Sequence, residues 1–332
     1  MANIIQASPI AKSIYGYTSA SLDSWCNYGY ALLIIAGADG KVSDEEMDWL
    51  LSVHEKMLQA PGEVIEALST FDFREVNLED ILPKISFDVP IDYRRTLIYD
   101  AIKMSYADRD FADDERRAVH KAARLLNVKP EIEQTIEEII NMERATDRMR
   151  RLVLHIDPAY KELGATVESE IVDSLSLFLK TNFEGLSDQA VDSLADYGKA
   201  LLTIAGADGE VSEEETRWLH DYFMIIDDET GEDALEELED FDYQNADLAS
   251  ILHDLDSEDI TGKVRSSLRR TLLYSAIQMA KADQDYALHE QETVEKARKL
   301  LNIDPITVRM IHGLIETEES IETMRKAIFE KI

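Results

Sequence analysis

The sequence has one cysteine in 332 residues, Cys26, so it excludes an intramolecular disulfide and a thiolate metal cluster. Such a chain suits a reducing compartment, and the expected location is the cytoplasm. Long hydrophobic runs are also missing. No apolar stretch approaches the ~18 residues that a membrane helix needs, and residues 1–21 break at Tyr15-Gly16-Tyr17-Thr18-Ser19 before any signal-peptide core forms. Positive charge is scarce: 34 basic residues stand against 68 acidic ones, a formal charge of -34. That balance repels phosphate backbones and anionic lipid surfaces, which disfavours nucleic acid and membrane as partners and favours cations. Strand-like alternation of β-branched residues is lacking, which leaves an all-α fold. Phosphate-binding glycine loops, nucleophile elbows, His-Glu-x-x-His and Cys-His clusters are absent too, so no motif names a reaction.

What the sequence does have is a repeat. Residues 28–46 match residues 197–215 at 15 of 19 positions, an offset of 169, and residues 94–115 match residues 269–290 at 13 of 22 positions, an offset of 175. A tandem duplication with a short insertion in the second copy accounts for both offsets. The expected organisation is an N-terminal arm over 1–27, a helical bundle over 28–156, a helical bridge over 157–196 and a second bundle over 197–332. The arm is aromatic and without clear period. In the bridge, Val167, Ile171, Leu175, Phe178 and Leu179 recur at helical spacing, and its exposed faces would suit a homodimer.

Within each bundle the helices meet at acidic corners. A buried helix from Leu22 is expected to stop at Gly40, and Ser43-x-x-Glu46 is a capping box that opens the next helix. Two short helices, near 64–69 and 76–85, flank Phe71-Asp72-Phe73, which returns as Phe241-Asp242-Tyr243 and reads as structural. A helix begun near Asp92 runs into the second corner at Asp108–Glu115. Another ends before Pro130, and two more are expected over 132–141 and 147–155. Trp49 and Trp218 occupy matching positions and read as core, whereas Trp25 and the tyrosines could line an aromatic pocket.

All four corners share one spacing, Asp-x-x-φ-x-x-x-Glu, with Val42, Phe111, Val211 and Tyr286 as the inward residue φ. The acids are Asp39 and Glu46, Asp108 and Glu115, Asp208 and Glu215, and Asp283 and Glu290. Two corners per copy could bring four carboxylates to one place. At a separation of about 5 Å, each pair repels by about 3 kcal/mol at an effective dielectric of about 20, so the cluster must take a cation, pair with bases or hold protons. A hard divalent cation suits an all-carboxylate site, Ca²⁺ or Mg²⁺ first, then Mn²⁺ or Zn²⁺. The plainer alternative is capping alone. Glu46 and Glu215 complete boxes with Ser43 and Ser212, and Asp39 and Asp208 suit an Asp-Gly turn. Capping explains the other two corners less well, because Ala112 and Ala287 replace the serine while the Asp and the Glu stay. Arg94, Arg95, Arg269 and Arg270 are the salt-bridge candidates, although their distance along the helix favours other partners.

The corners, together with the endings Leu125-Leu126-Asn127-Val128 and Leu300-Leu301-Asn302-Ile303, resemble the TerB (tellurite-resistance) family of all-helical domains. The resemblance spans roughly 28–156 and 197–332. It implies two TerB-like bundles and an acidic metal centre in each, carried by the eight acids named above. In length and tandem plan the chain is also similar to the scytonemin-pathway cyclase/decarboxylase family. That resemblance implies a cation-assisted ring closure and decarboxylation of an aromatic, indolic β-keto acid. His289, beside Glu290, is the one histidine adjacent to the acids and the candidate for proton transfer.

Overall fold

The computed structural model describes residues 3–155 and 187–331, apart from positions 9, 10, 13, 14, 88, 90, 109, 227, 258–261, 284 and 285. Helices dominate them, as the lack of alternating patterns predicts. A two-stranded ribbon is the exception: β1 (Ile4–Gln6) pairs antiparallel with β2 (Ser19–Ser21), each too short to show a period in the sequence. The ribbon holds the N-terminal arm in place. Ser8 donates its amide to the Met57 carbonyl at 2.8 Å, and Tyr15 and Tyr17 are buried.

The first repeat continues with α1 (Leu22–Ala36), α2 (Asp44–Met57), α3 (Gly62–Ser69), the single turn α4 (Leu78–Ile81), α5 (Tyr93–Ser105), α6 (Asp113–Leu125) and α7 (Pro130–Leu154). The second supplies α8 (Ser187–Ala205), α9 (Glu213–Ile226), α10 (Asp228–Leu238), α11 (Leu248–Ser257), α12 (Gly262–Ala280), α13 (Leu288–Leu300) and α14 (Pro305–Phe329). One expectation is corrected here. The two helices predicted over 132–141 and 147–155 are the single helix α7, because Met142-Glu143-Arg144-Ala145-Thr146 contains neither Gly nor Pro and nothing in it stops the ladder. The predicted bridge over 157–196 lies outside the described residues up to 186, and its end from Ser187 opens α8.

Two compact units divide the chain: Met1–Ala145 with Glu319–Ile332, and Thr146–Glu318. In the first, α1 is apolar on nearly every side and so takes the centre, with Trp25, Tyr28, Leu32, Leu33 and Ile35 fully buried. Fully burying each large aliphatic contributes roughly 1.5–3 kcal/mol, so this helix is a substantial source of the unit's stability. Ile321, Ile328 and Phe329, from the end of α14, belong to the same core. In the second unit α8 holds the matching place through Leu194, Tyr197, Leu201 and Ile204, and Val153 and Leu154, from the end of α7, complete that core. Among the described residues no helix is long and apolar enough to cross a membrane.

The shared ending of α6 and α13 has a conformational cause. Asn127 and Asn302 stand at φ of 56° and 53°, the left-handed position at which Asn is tolerated. The following amides, Val128 and Ile303, return to the carbonyls of Ala123 and Arg298 at 2.9 and 3.0 Å. The turn closes each helix and aims the next residue into the core.

Candidate functional site

Each first corner is made by a helix that ends in a 3-10 turn, Gly37–Asp39 after α1 and Gly206–Asp208 after α8. Gly40 and Gly209 then take φ of 104° and 111°, which only glycine adopts without strain. The Phe-Asp-aromatic repeat packs on these turns. A Cβ on Gly37 would sit 2.3 Å from the Phe73 ring, and one on Gly206 would sit 2.4 Å from Tyr243, so the aromatic lies directly on the backbone. The neighbouring side chains secure the loop: Gln244 donates to the Gly209 carbonyl at 2.7 Å, and Arg74 donates to that of Gly40 at 3.4 Å. Phe73 and Tyr243 were legible only as part of a recurring structural motif, and Arg74 and Gln244 were not singled out by the sequence. Val42 and Phe111 pack against the first core, and Val211 and Tyr286 against the second, as the spacing predicts.

The 3-10 turn of each first corner packs on the helix that begins at the second corner, α6 in one unit and α13 in the other. That contact brings glutamates together. Glu46, Glu115, Glu215 and Glu290 are each only 2–3 % exposed. Each commits its Oε2 to its own helix start, accepting from the N-cap amide of Ser43, Ala112, Ser212 or Ala287 at 2.5–2.7 Å. Capping therefore operates at all four corners. At Ser43 and Ser212 the hydroxyl completes the box by accepting from the glutamate's amide at 3.2 and 3.1 Å, whereas the alanine corners keep only the half supplied by the glutamate.

Capping uses Oε2 of each glutamate, and in each unit the two carboxyls lie within reach of one another. Glu115 faces Glu46 carboxyl to carboxyl, and Glu290 faces Glu215 in the same way. Burial first, and then the neighbouring Glu46, push the Glu115 carboxyl up to about 8. Glu290 is pushed up to about 8 by burial, with Glu215 and Asp208 adding to it, and burial also raises Glu215, with the like charge of Asp283 adding to it. Glu46 Oε1 is buried without a hydrogen-bond donor. When both carboxyls are ionised neither can donate to the other, so the pair is satisfied only by a shared proton or by a cation.

The aspartates lie further out. Asp39 and Asp208 are exposed and Asp108 is half-buried. In all three, Oδ1 accepts from the amide two residues on, at 2.9–3.1 Å, which shapes the loop. Asp39 is close enough to act on Glu115, Asp208 on Glu290 and Asp283 on Glu215. Asp108 has no such described link to the pair. Among the described residues, no group of three or more His, Cys, Asp or Glu side chains is arranged to hold a metal ion. Each unit thus presents a buried pair of carboxyls with aspartates at the rim.

The arginines serve elsewhere. Arg94 binds Asp92 through two nitrogens at 2.7 and 2.6 Å, Arg95 reaches the Ile328 carbonyl at 2.8 Å, and Arg270 reaches that of Val153 at 2.7 Å. His289 is exposed in the first turn of α13, and its described bond is made by its backbone carbonyl, which accepts from Thr293 at 2.9 Å.

No curated protein and no solved structure matches the chain. A family model does, the tellurite resistance protein TerB, over residues 30–138 and again over residues 198–312. Those two stretches cover more than half of the sequence and contain every corner described above, so the chain belongs to the TerB family and carries its domain twice.

Proposed function

We propose that this tandem TerB protein binds a divalent cation at each carboxyl pair, with Glu46 and Glu115 as the inner ligands of one unit and Glu215 and Glu290 as those of the other. The observation that carries the reading is the orphaned Glu46 Oε1, buried beside Glu115 with no donor in reach. A buried polar atom without a partner costs about 1–3 kcal/mol, and a cation held between the two carboxyls removes that cost. Oxygen-only donors suit Ca²⁺ or Mg²⁺ better than softer ions. Two inner carboxylates fall short of a full coordination shell, so Asp39 and Asp108, or Asp208 and Asp283, would join from the rim with water.

The role is binding: the cation pins two helix starts together and sets the rigidity of the unit. An enzymatic alternative, cation-assisted cyclisation and decarboxylation of an aromatic β-keto acid, gains no support from His289, which is exposed.

The test is metal content and thermal melting of the gently purified protein before and after chelation, with Ca²⁺, Mg²⁺, Mn²⁺ and Zn²⁺ added back. The expected result is about one ion per unit and a lower melt after chelation. Asp108→Asn with Glu115→Gln should weaken binding by the first unit and leave helicity intact. No ion and no shift would return the corners to capping alone.

A further inference from the structure

The two last helices end in unexpected company. The end of α14, from the second repeat, is part of the first unit, and the end of α7, from the first repeat, is part of the second. The contacts correspond residue for residue across the repeat. In the first unit Arg325 pairs with Glu143, which also accepts from the Tyr99 hydroxyl, and Arg95 holds the Ile328 carbonyl. In the second, Arg150 pairs with Glu318, which accepts from Tyr274, and Arg270 holds the Val153 carbonyl.

At the repeat's offset of 175, Arg150 corresponds to Arg325, Glu143 to Glu318, and Val153-Leu154 to Ile328-Phe329. One recognition scheme is therefore used twice. An arginine is read by a partly buried Glu that a buried Tyr holds, and two apolar residues, three and four positions on, enter the core while a second arginine caps the helix end. In the first unit the segment is fastened further. Phe329 stacks on Tyr15 at 5.9 Å, its carbonyl accepts from the Asp92 amide at 2.8 Å, and Glu330 bridges Ile91.

We propose that residues 319–331 are a transferable clasp. The first unit is a receptor for a helix end of this chemistry, and a separate molecule carrying the same segment can occupy the seat. Three features support it. The contacts are concentrated in one short segment, they use side chains and helix-end carbonyls that any copy of the segment carries, and the same scheme accepts a different sequence in the second unit. The occupant is the segment 319–331 itself, supplied by its own chain or by a second copy.

The experiment uses the full chain carrying Arg325→Ala with Phe329→Ala and reads amide hydrogen exchange by peptide. Exchange in α1 and α5 should accelerate at least tenfold, while α8 and α12 stay within twofold of the unsubstituted chain. Synthetic peptide 319–332 added in excess should restore slow exchange in α1 and α5, and the peptide with the same two substitutions should not. The milder Arg95→Gln, which keeps the core intact, should give the same pattern at reduced size. Acceleration that spares the first unit, or that is equal in both units, overturns the proposal, as does failure of the unsubstituted peptide to protect at millimolar concentration.

Discussion

The two repeats agree at the corners and differ in the core behind them. Both bury a glutamate pair, both set an aromatic on the glycine of the first turn, and both close α6 or α13 with a left-handed Asn. Behind that shared front, the first unit buries Asp100, which accepts from the Tyr15 hydroxyl at 3.0 Å and from that of Tyr28 at 2.7 Å. The second unit has Ser275 at the matching position, between Tyr197 at 3.1 Å and Tyr222 at 3.3 Å. His54 is a further difference. It is fully buried, with Nδ1 donating to the Leu50 carbonyl at 2.9 Å, and burial lowers it to about 4, so it stays neutral, whereas the matching residue is Phe223. The corners kept their chemistry while the cores diverged, which is the pattern expected if the corners do the binding and the cores only support it.

The largest effect expected from breaking this comparison is at Asp100. Asp100→Ala removes the acceptor of two buried hydroxyls and unties the N-terminal arm at Tyr15, a loss of about 3 kcal/mol in the first unit. Ser275→Ala leaves two tyrosines near each other and opens a small void, for about 1 kcal/mol in the second. Urea unfolding followed by tryptophan fluorescence separates the two, because Trp25 and Trp49 belong to the first core and Trp218 packs against the second. Equal losses would mean that Asp100 carries no special share of the first core.

A smaller effect, common to both units, concerns pH. Glu115 and Glu290 rise from an ordinary 4.5 to about 8 on folding. Below pH about 4.5 both the folded and the unfolded chain hold these protons. Between about 4.5 and 8 folding takes a proton up, so stability falls as the pH rises through this window, the reverse of what a salt-bridged carboxylate does. Chelated protein should therefore lose about 3 kcal/mol per unit between pH 5.5 and 8.5, as read by urea midpoints. Glu115→Gln should flatten the first unit's share. Added Ca²⁺ or Mg²⁺ should restore stability most strongly at the alkaline end, where protons no longer compete. A chelated protein equally stable across this range would show that the pair holds no proton of this kind.

Much of this was legible in the sequence. The tandem repeat, the all-helical fold and the four corners follow from spacing, because 15 identities in 19 positions cannot arise from periodicity alone. The meeting of Glu46 with Glu115 was legible as a pairing of corners, but not its division of labour, since nothing in a one-dimensional pattern says which oxygen caps and which stays free. Asp108 illustrates the same gap. It shares the spacing and the loop bond of the others, accepting from the Asp110 amide, yet of the two first-unit aspartates it is Asp39 that acts on Glu115. The exchanged helix ends were invisible for a different reason. Arg150 and Arg325 sit on one face of long helices and read as solvated charge, and only tertiary packing decides which glutamate receives them.

The smallest effect sharpens the comparison most, because it is made between corners of one unit. Ser43 and Ala112 stand at helix starts with the same extended backbone, φ −70° and ψ 163° against φ −62° and ψ 153°. Ala112→Ser should therefore place its hydroxyl without strain and accept the Glu115 amide, for a gain of about 0.5–1 kcal/mol, while Ser43→Ala loses a similar amount. If capping were all that these corners do, the two substitutions would be mirror images at every pH. The carboxyl pair makes them differ. The Ser43 hydroxyl also donates to Glu46 Oε2 at 2.9 Å, so it favours the ionised form of the pair, and a serine at 112 should do the same for Glu115. Ala112→Ser is then expected to draw the stability window toward lower pH and to tighten cation binding near neutrality, and Ser43→Ala to shift both in the opposite direction. Urea midpoints across pH 5 to 9, with and without cation, read that shift separately from the capping gain.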